Sequence, residues 1–123
     1  MSSAEHELYL EAVEASIAAG THQAMVNIHV DFTSELVTHD TCGFTLWHRR
    51  YLLAYENMLR STAHKFRCVT VPYRNIMDHY VNMINGQCSN LVDCSPILTG
   101  LGGIPKNHLV NNRTYAGIFR TVV

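Results

Sequence analysis

From Phe44 to Arg60 the chain reads FTLWHRRYLLAYENMLR, with apolar Phe44, Trp47, Tyr51, Leu52, Tyr55, Met58 and Leu59 recurring at three- and four-residue steps. That spacing predicts an amphipathic helix with one face in a core. Arg49, Arg50, Glu56, Asn57 and Arg60 fall mostly off the stripe, whereas His48 falls on it. Upstream, Ser2 or Ser3 with Glu5 forms a helix-starting signal, and Leu8, Ala12, Ala15 and Ala19 run to Gly20, the expected stop. A second helix is predicted from Thr21 through Met25, Val26, His29 and Phe32 toward Leu36. Residues Thr38 to Gly43 read as a loop into the main helix, which is expected to continue toward His64. The CVTVPY segment has the β-branched content of a short strand or extended segment, ended by Pro72. A short helix over 75–84 follows, and the remainder, rich in Gly, Asn and Pro, reads as ordered loop. The fold class is mainly α, a helical bundle with long ordered loops and little strand, free of repeats and low-complexity tracts.

Composition narrows the partners. With 123 residues and 47% apolar content, the chain makes one domain, 1–123, with a modest core. A net charge of −1 and 15% charged residues leave no electrostatic footprint for nucleic acid or an anionic membrane. No run approaches the ~18 to 20 apolar residues of a membrane span. The start, MSSAEHELYLEA, is polar and acidic and lacks the basic and apolar regions of a signal peptide, so a secreted form would need a leader not in this chain.

The eight histidines are the compositional outlier. A lone histidine on an apolar stripe is ordinarily a core imidazole bonded to a backbone carbonyl. His48, however, is preceded by nine residues by His39, in the loop THDTCG, and His29 lies ten residues before that on another apolar-periodic segment. Two helices and a loop can converge three neutral imidazoles on one point. A donor set without carboxylate or thiolate suits copper, with zinc the competitor. His22, seven residues before His29, shares its helix face and is either a substitute ligand or, more simply, an exposed first-turn residue. His6, His64, His79 and His108 read as surface residues.

Four cysteines allow three pairings. Cys88 and Cys94 bracket a short loop and Cys42 and Cys68 flank the main helix, which favours those two pairs. Zinc ligation by Cys88 and Cys94 lacks the short-spaced partner of a zinc ribbon. Disulfides imply secretion or another oxidising compartment, and the Asn112, Arg113, Thr114 sequon agrees.

His29, His39 and His48, the last inside FTLWHRRYLLAYE and followed by CVTVPYRN, resemble the first copper-binding half of the type 3 copper proteins: tyrosinase, catechol oxidase and haemocyanin. The resemblance runs from roughly Leu8 to the C-terminus, because SPILTGLGG and RTYAGIFRTVV are similar to the segment joining that family's two copper sites. It implies half of the type 3 copper helical bundle, a partial domain with its first copper half present and its second absent. One copper ion would be held by His29, His39 and His48, against two in a complete family site. It also implies a monooxygenase and oxidase that converts monophenols or o-diphenols to quinones with dioxygen, with oxygen carriage as the haemocyanin variant. No catalytic residue beyond the metal ligands is implied. Phe44 and Trp47 would wall the site, while Arg49 and Glu56 would support the ligands or lock the helix, against ordinary packing and surface ion pairing.

Two departures from the family pattern stand out. Its second site uses an HxxxH pair and a further histidine, and nothing after His48 has that spacing. Its usual Trp after Pro-Tyr is Arg74 here. Three readings stay open: a tyrosinase-type oxidoreductase completed by a homodimer or a missing C-terminal half, a mononuclear copper-binding protein, and an inactive half-domain. The expected partners are a phenolic small molecule and dioxygen, without nucleic acid or membrane.

Overall fold

The computed structural model describes residues 1–101 other than Asp40. Among them the chain is mainly helical and no strand forms: α1 (Ser3–Ala18), α2 (Thr21–Val30), α3 (Phe32–Thr38), α4 (Phe44–Thr62), a 3₁₀ turn (His64–Phe66), α5 (Ile76–Ile84) and α6 (Pro96–Gly100). Two compact units divide after Val71, and each is described by itself.

In the first unit α1 starts with the capping box that the sequence predicts. The Ser2 hydroxyl accepts from the Glu5 amide at 3.2 Å, and the Glu5 carboxylate accepts from the Ser2 amide at 2.6 Å. These bonds hold the Glu5 carboxyl below its ordinary range. Gly20 then takes φ 76°, the left-handed turn that α1 needs to hand over to α2. The expected single helix from Thr21 toward Leu36 is broken in two. Asp31 leaves helical geometry at φ −62°, ψ 133°, and its carboxylate accepts from the amides of Thr33 and Ser34 at 3.0 and 3.2 Å. An aspartate that can satisfy two orphan amides starts a new helix more readily than it continues an old one.

The main helix α4 runs 19 residues and stops at Thr62, short of His64, which opens the 3₁₀ turn instead. Beyond it, Cys68 lies in a turn and residues 69–71 have no regular secondary structure and do not pair as a strand. Side chains of α4 take over their backbone groups: Arg60 Nε donates to the Val69 carbonyl at 2.7 Å, and the Val71 amide donates to Glu56 at 2.9 Å. Arg60 and Glu56 also pair with each other at 2.8 Å.

Tyr9, Ala12, Val13, Leu59, Phe66 and Val69 make the buried apolar core, where α1 packs on α4 and the 3₁₀ turn. The buried face of α1 is therefore Tyr9, Ala12, Val13 and Ser16, rotated from the predicted alanine stripe. Ser16 is tolerated inside because its hydroxyl donates to the Val13 carbonyl at 2.7 Å. Lys65 and Glu11 pair across the outside of this core. At the other end of the unit the apolar side chains stay open, with Phe32, Leu36 and Leu46 all more than half exposed.

In the second unit, Asn75 caps α5, and Cys88 is bonded to Cys94 with a Cα separation of 5.4 Å. The sequence analysis left 96–100 as loop, yet α6 forms there. Ser95 caps it and Pro96 occupies its first turn, a start signal legible in the sequence. The favoured pairing of Cys42 with Cys68 is not made: both thiols are free and exposed. At ~1.5 Å per residue α4 alone spans nearly 30 Å between them, and a disulfide requires Cα atoms within about 7 Å. No helix among the described residues is long and apolar enough to cross a membrane.

The small core makes a direct prediction. Leu59 is fully buried whereas Leu53, on the same helix, is 57% exposed. Leu59→Ala should cost about 2–5 kcal/mol in denaturant unfolding, and Leu53→Ala no more than about 0.5 kcal/mol.

Candidate metal centre

His29 sits on the last turn of α2, His39 just after α3, and His48 in the second turn of α4. Their ligand nitrogens all lie within 4.8 Å of one another. The rings stand edge to face or tilted, with centroids 5.3 Å apart for His29 and His39, 5.4 Å for His29 and His48, and 5.3 Å for His39 and His48. All three are half-buried, so the cluster lies at the surface end of the helices and not in the closed core that the apolar stripe suggested.

The neighbours of the rings decide which nitrogen faces inward. His48 Nδ1 is 2.8 Å from the Phe44 carbonyl, which can only accept, so Nδ1 carries the hydrogen and Nε2 keeps its lone pair. His39 is arranged in the same way. The buried Thr38 hydroxyl gives its own hydrogen to the Ser34 carbonyl at 2.5 Å, leaving its oxygen to accept from His39 Nδ1 at 3.3 Å. A hydrogen bond from the far nitrogen is the usual way a ligating imidazole is oriented. His29 Nε2 lies 3.3 Å from His48 Nε2. Two nitrogens at ~2.0 Å from one tetrahedral ion are separated by about that distance. Three imidazoles, two of them with Nδ1 hydrogen-bonded to an acceptor, fit a metal of copper or zinc type, and the absence of carboxylate and thiolate from the group favours copper.

Aromatic rings enclose one side. Phe44 lies 4.2 Å from His48 between centroids and 6.0 Å from His39. Trp47 lies 5.1 Å from His48 and 5.7 Å from His29, and stacks on Tyr51 at 4.9 Å with 12° between planes. Phe44 and Trp47 thus lie beside the histidine rings. Tyr51, which the sequence analysis placed only in the helix stripe, is also at the site, 5.4 Å from His29. Its hydroxyl donates to the Met25 carbonyl at 2.7 Å, and burial pushes its phenol pKa up. The i, i+3 and i+4 relation of Tyr51 to His48 and Trp47 was the available signal.

Other histidines and candidate supports lie elsewhere. His22 is not the exposed first-turn residue expected: it is half-buried, and its Nδ1 is 3.1 Å from the Tyr55 hydroxyl. Burial lowers its pKa. Glu56, eight residues beyond His48, spends its carboxylate on Arg60 and Val71, which locks the helix and does not reach the cluster. Arg49 is exposed, as is His64, whereas His6 and His79 are half-buried. His108, Asn112, Arg113 and Thr114 lie outside the described residues.

A family model described as the common central domain of tyrosinase matches residues 19–121. No curated protein and no solved structure matches the chain.

Two tests follow from this geometry. Thr38→Val keeps the shape of the side chain but removes the acceptor of His39 Nδ1, and should weaken metal binding by roughly 10- to 100-fold in a titration. For His22, a folded-state pKa below the ordinary 6.5 means that the unfolded chain binds the proton more readily. Its contribution is present above that value and is lost as the pH falls through it. Denaturant midpoints measured from neutral to mildly acidic pH should therefore fall more steeply for the parent protein than for His22→Gln.

Proposed function

The chain belongs to the tyrosinase family, and we propose that His29, His39 and His48 hold one copper ion in a centre that oxidises phenols with dioxygen. The observation that carries this reading is the three-imidazole group itself, with two of its rings turned inward by the Phe44 carbonyl and the Thr38 hydroxyl. Copper bound there would supply redox chemistry with dioxygen and a place for dioxygen to bind.

The chain's residues contribute position and access. The hydrogen bonds at the two Nδ1 atoms orient the His39 and His48 rings, and because a metal takes only the neutral imidazole, acid opposes its binding. Phe44 and Trp47 offer ring faces beside the ligands, and an aromatic substrate can rest against such faces in offset or edge-to-face contact. The half-exposed setting of the cluster leaves a small phenol a way in.

The same reading includes a second copy of the chain. The helices carrying the cluster expose Ile28, Phe32, Leu36, Phe44 and Leu46. An apolar patch of this kind on a small protein marks an interaction surface. A two-fold pair would place identical patches, and hence two histidine groups, against each other.

Replacing His29, His39 or His48 by Ala should lower copper affinity by about two orders of magnitude or more, while His64→Ala leaves it unchanged. In sedimentation of the copper-loaded protein, o-diphenol oxidation should follow the dimer. Equal loss of copper from His64→Ala would remove the ligand assignment. Copper bound at full affinity by a strictly monomeric protein without oxidase activity would leave a mononuclear copper-binding domain in place of the oxidase.

A further inference from the structure

Three hydrogen-bonded rungs join α2 to α4: His29 with His48, Met25 with Tyr51, and His22 with Tyr55. The first rung belongs to the metal centre and the second secures Tyr51 beside it. The third pairs a phenol with an imidazole away from the cluster, where neither takes part in ligation. We propose that Tyr55 and His22 form a proton-coupled redox pair, reached from the metal centre through Trp47 and Tyr51, that holds a one-electron hole as a neutral tyrosyl radical.

The path is built from aromatic rings in short steps. The His29 ring lies 5.7 Å from Trp47 and 5.4 Å from Tyr51, and the Trp47 and Tyr51 rings are stacked nearly parallel at 4.9 Å. Tyr55 is one turn beyond Tyr51 on the same face of α4, where side chains are neighbours. What separates the two tyrosines is the partner of each hydroxyl. Tyr51 donates to a backbone carbonyl, which cannot take a proton, so an oxidised Tyr51 would have to keep its positive charge in a half-buried place. Tyr51 can pass a hole on but cannot store it. Tyr55 lies 3.1 Å from an imidazole nitrogen that can take the proton. Burial lowers the His22 pKa, which favours the neutral ring, and in the tautomer that leaves Nδ1 bare this ring accepts from Tyr55.

The step balances as follows. One electron leaves the Tyr55 ring to fill the hole on Tyr51 or Trp47, the phenolic O–H bond breaks, and its proton bonds to His22 Nδ1. The products are a tyrosyl radical and an imidazolium. An o-diphenol then gives one electron to the tyrosyl radical and its own proton to solvent, becoming a semiquinone, while His22 returns its proton to the Tyr55 oxygen and restores the pair. The oxidant is a one-electron acceptor at the metal centre, and only this source of the hole rests on the proposed copper function; the chemistry of the pair does not.

The test therefore uses the full chain without metal and a photogenerated ruthenium(III) tris-bipyridine oxidant, with freeze-trapped electron spin resonance. The expected result is a neutral tyrosyl radical coupled to an exchangeable hydrogen from His22. Tyr55→Phe should reduce the yield by about tenfold or more, and His22→Gln, which keeps the phenol but removes the base, should reduce it by about tenfold and abolish that coupling. A radical that persists at the parent yield in Tyr55→Phe, or that is unaffected by His22→Gln, overturns the proposal. Failure to bind copper with the Tyr55 radical intact would count against the copper reading alone, and copper binding without the radical would count against the pair alone.

Discussion

The antiparallel pairing of α2 with α4 through side-chain hydrogen bonds is the constraint on which the histidine cluster depends. It is made by polar rungs spaced about one helical turn apart, running from His29 with His48 through Met25 with Tyr51 to His22 with Tyr55. Hydrogen bonds are directional, so these rungs specify the register of the two helices more tightly than apolar packing would. A slip of one residue along either helix would separate every pair at once. The register also sets the His29 to His48 spacing at which one ion can be shared.

The second consequence is a division of labour along α4. Its C-terminal half, through Leu59, Glu56 and Arg60, is anchored to α1, the 3₁₀ turn and the 69–71 segment. Its N-terminal half carries Phe44, Trp47 and His48 into a half-open setting with few buried neighbours. A site held on a rigid helix keeps its geometry better than one on a loop. Among the described residues the buried core lies at one end of α4 and the half-exposed histidine cluster at the other. His39 is the exception, coming from the connection between α3 and α4, and Thr38 compensates by bonding its ring from the fully buried last residue of α3.

Much of this was legible in the chain. The α4 stripe, the Ser2 and Glu5 start of α1, the short helix at 75–84 and the convergence of three histidines all follow from local periodicity and capping, which depend on near neighbours alone. What was missed depends on choices between competing partners. Asp31 was absorbed into a helix because apolar spacing continues across it, yet its carboxylate does better by capping Thr33 and Ser34. Ser95 and Pro96 signalled α6 but were lost among loop-forming neighbours. Cys42 and Cys68 flank α4 in sequence, and sequence adjacency to a helix says the opposite of spatial adjacency across it. His22 was judged by its place in a first turn, and only the partner helix shows that a phenol meets it.

The electrostatics of the cluster explain why two short backbone and hydroxyl contacts matter more than the charged residues nearby. Arg49 is exposed, and Glu56 pairs with Arg60 and accepts from the Val71 amide. Without a carboxylate to bias them, the rings would be free to choose either tautomer, and half the choices would turn an N–H toward the metal. The Phe44 carbonyl and the Thr38 hydroxyl remove that freedom for His48 and His39 without adding negative charge. A neutral donor set of this kind leaves the full charge of a bound cation on the metal and its exogenous ligand. In this chain the orientation of two of the three rings is set by a helix carbonyl and one buried threonine.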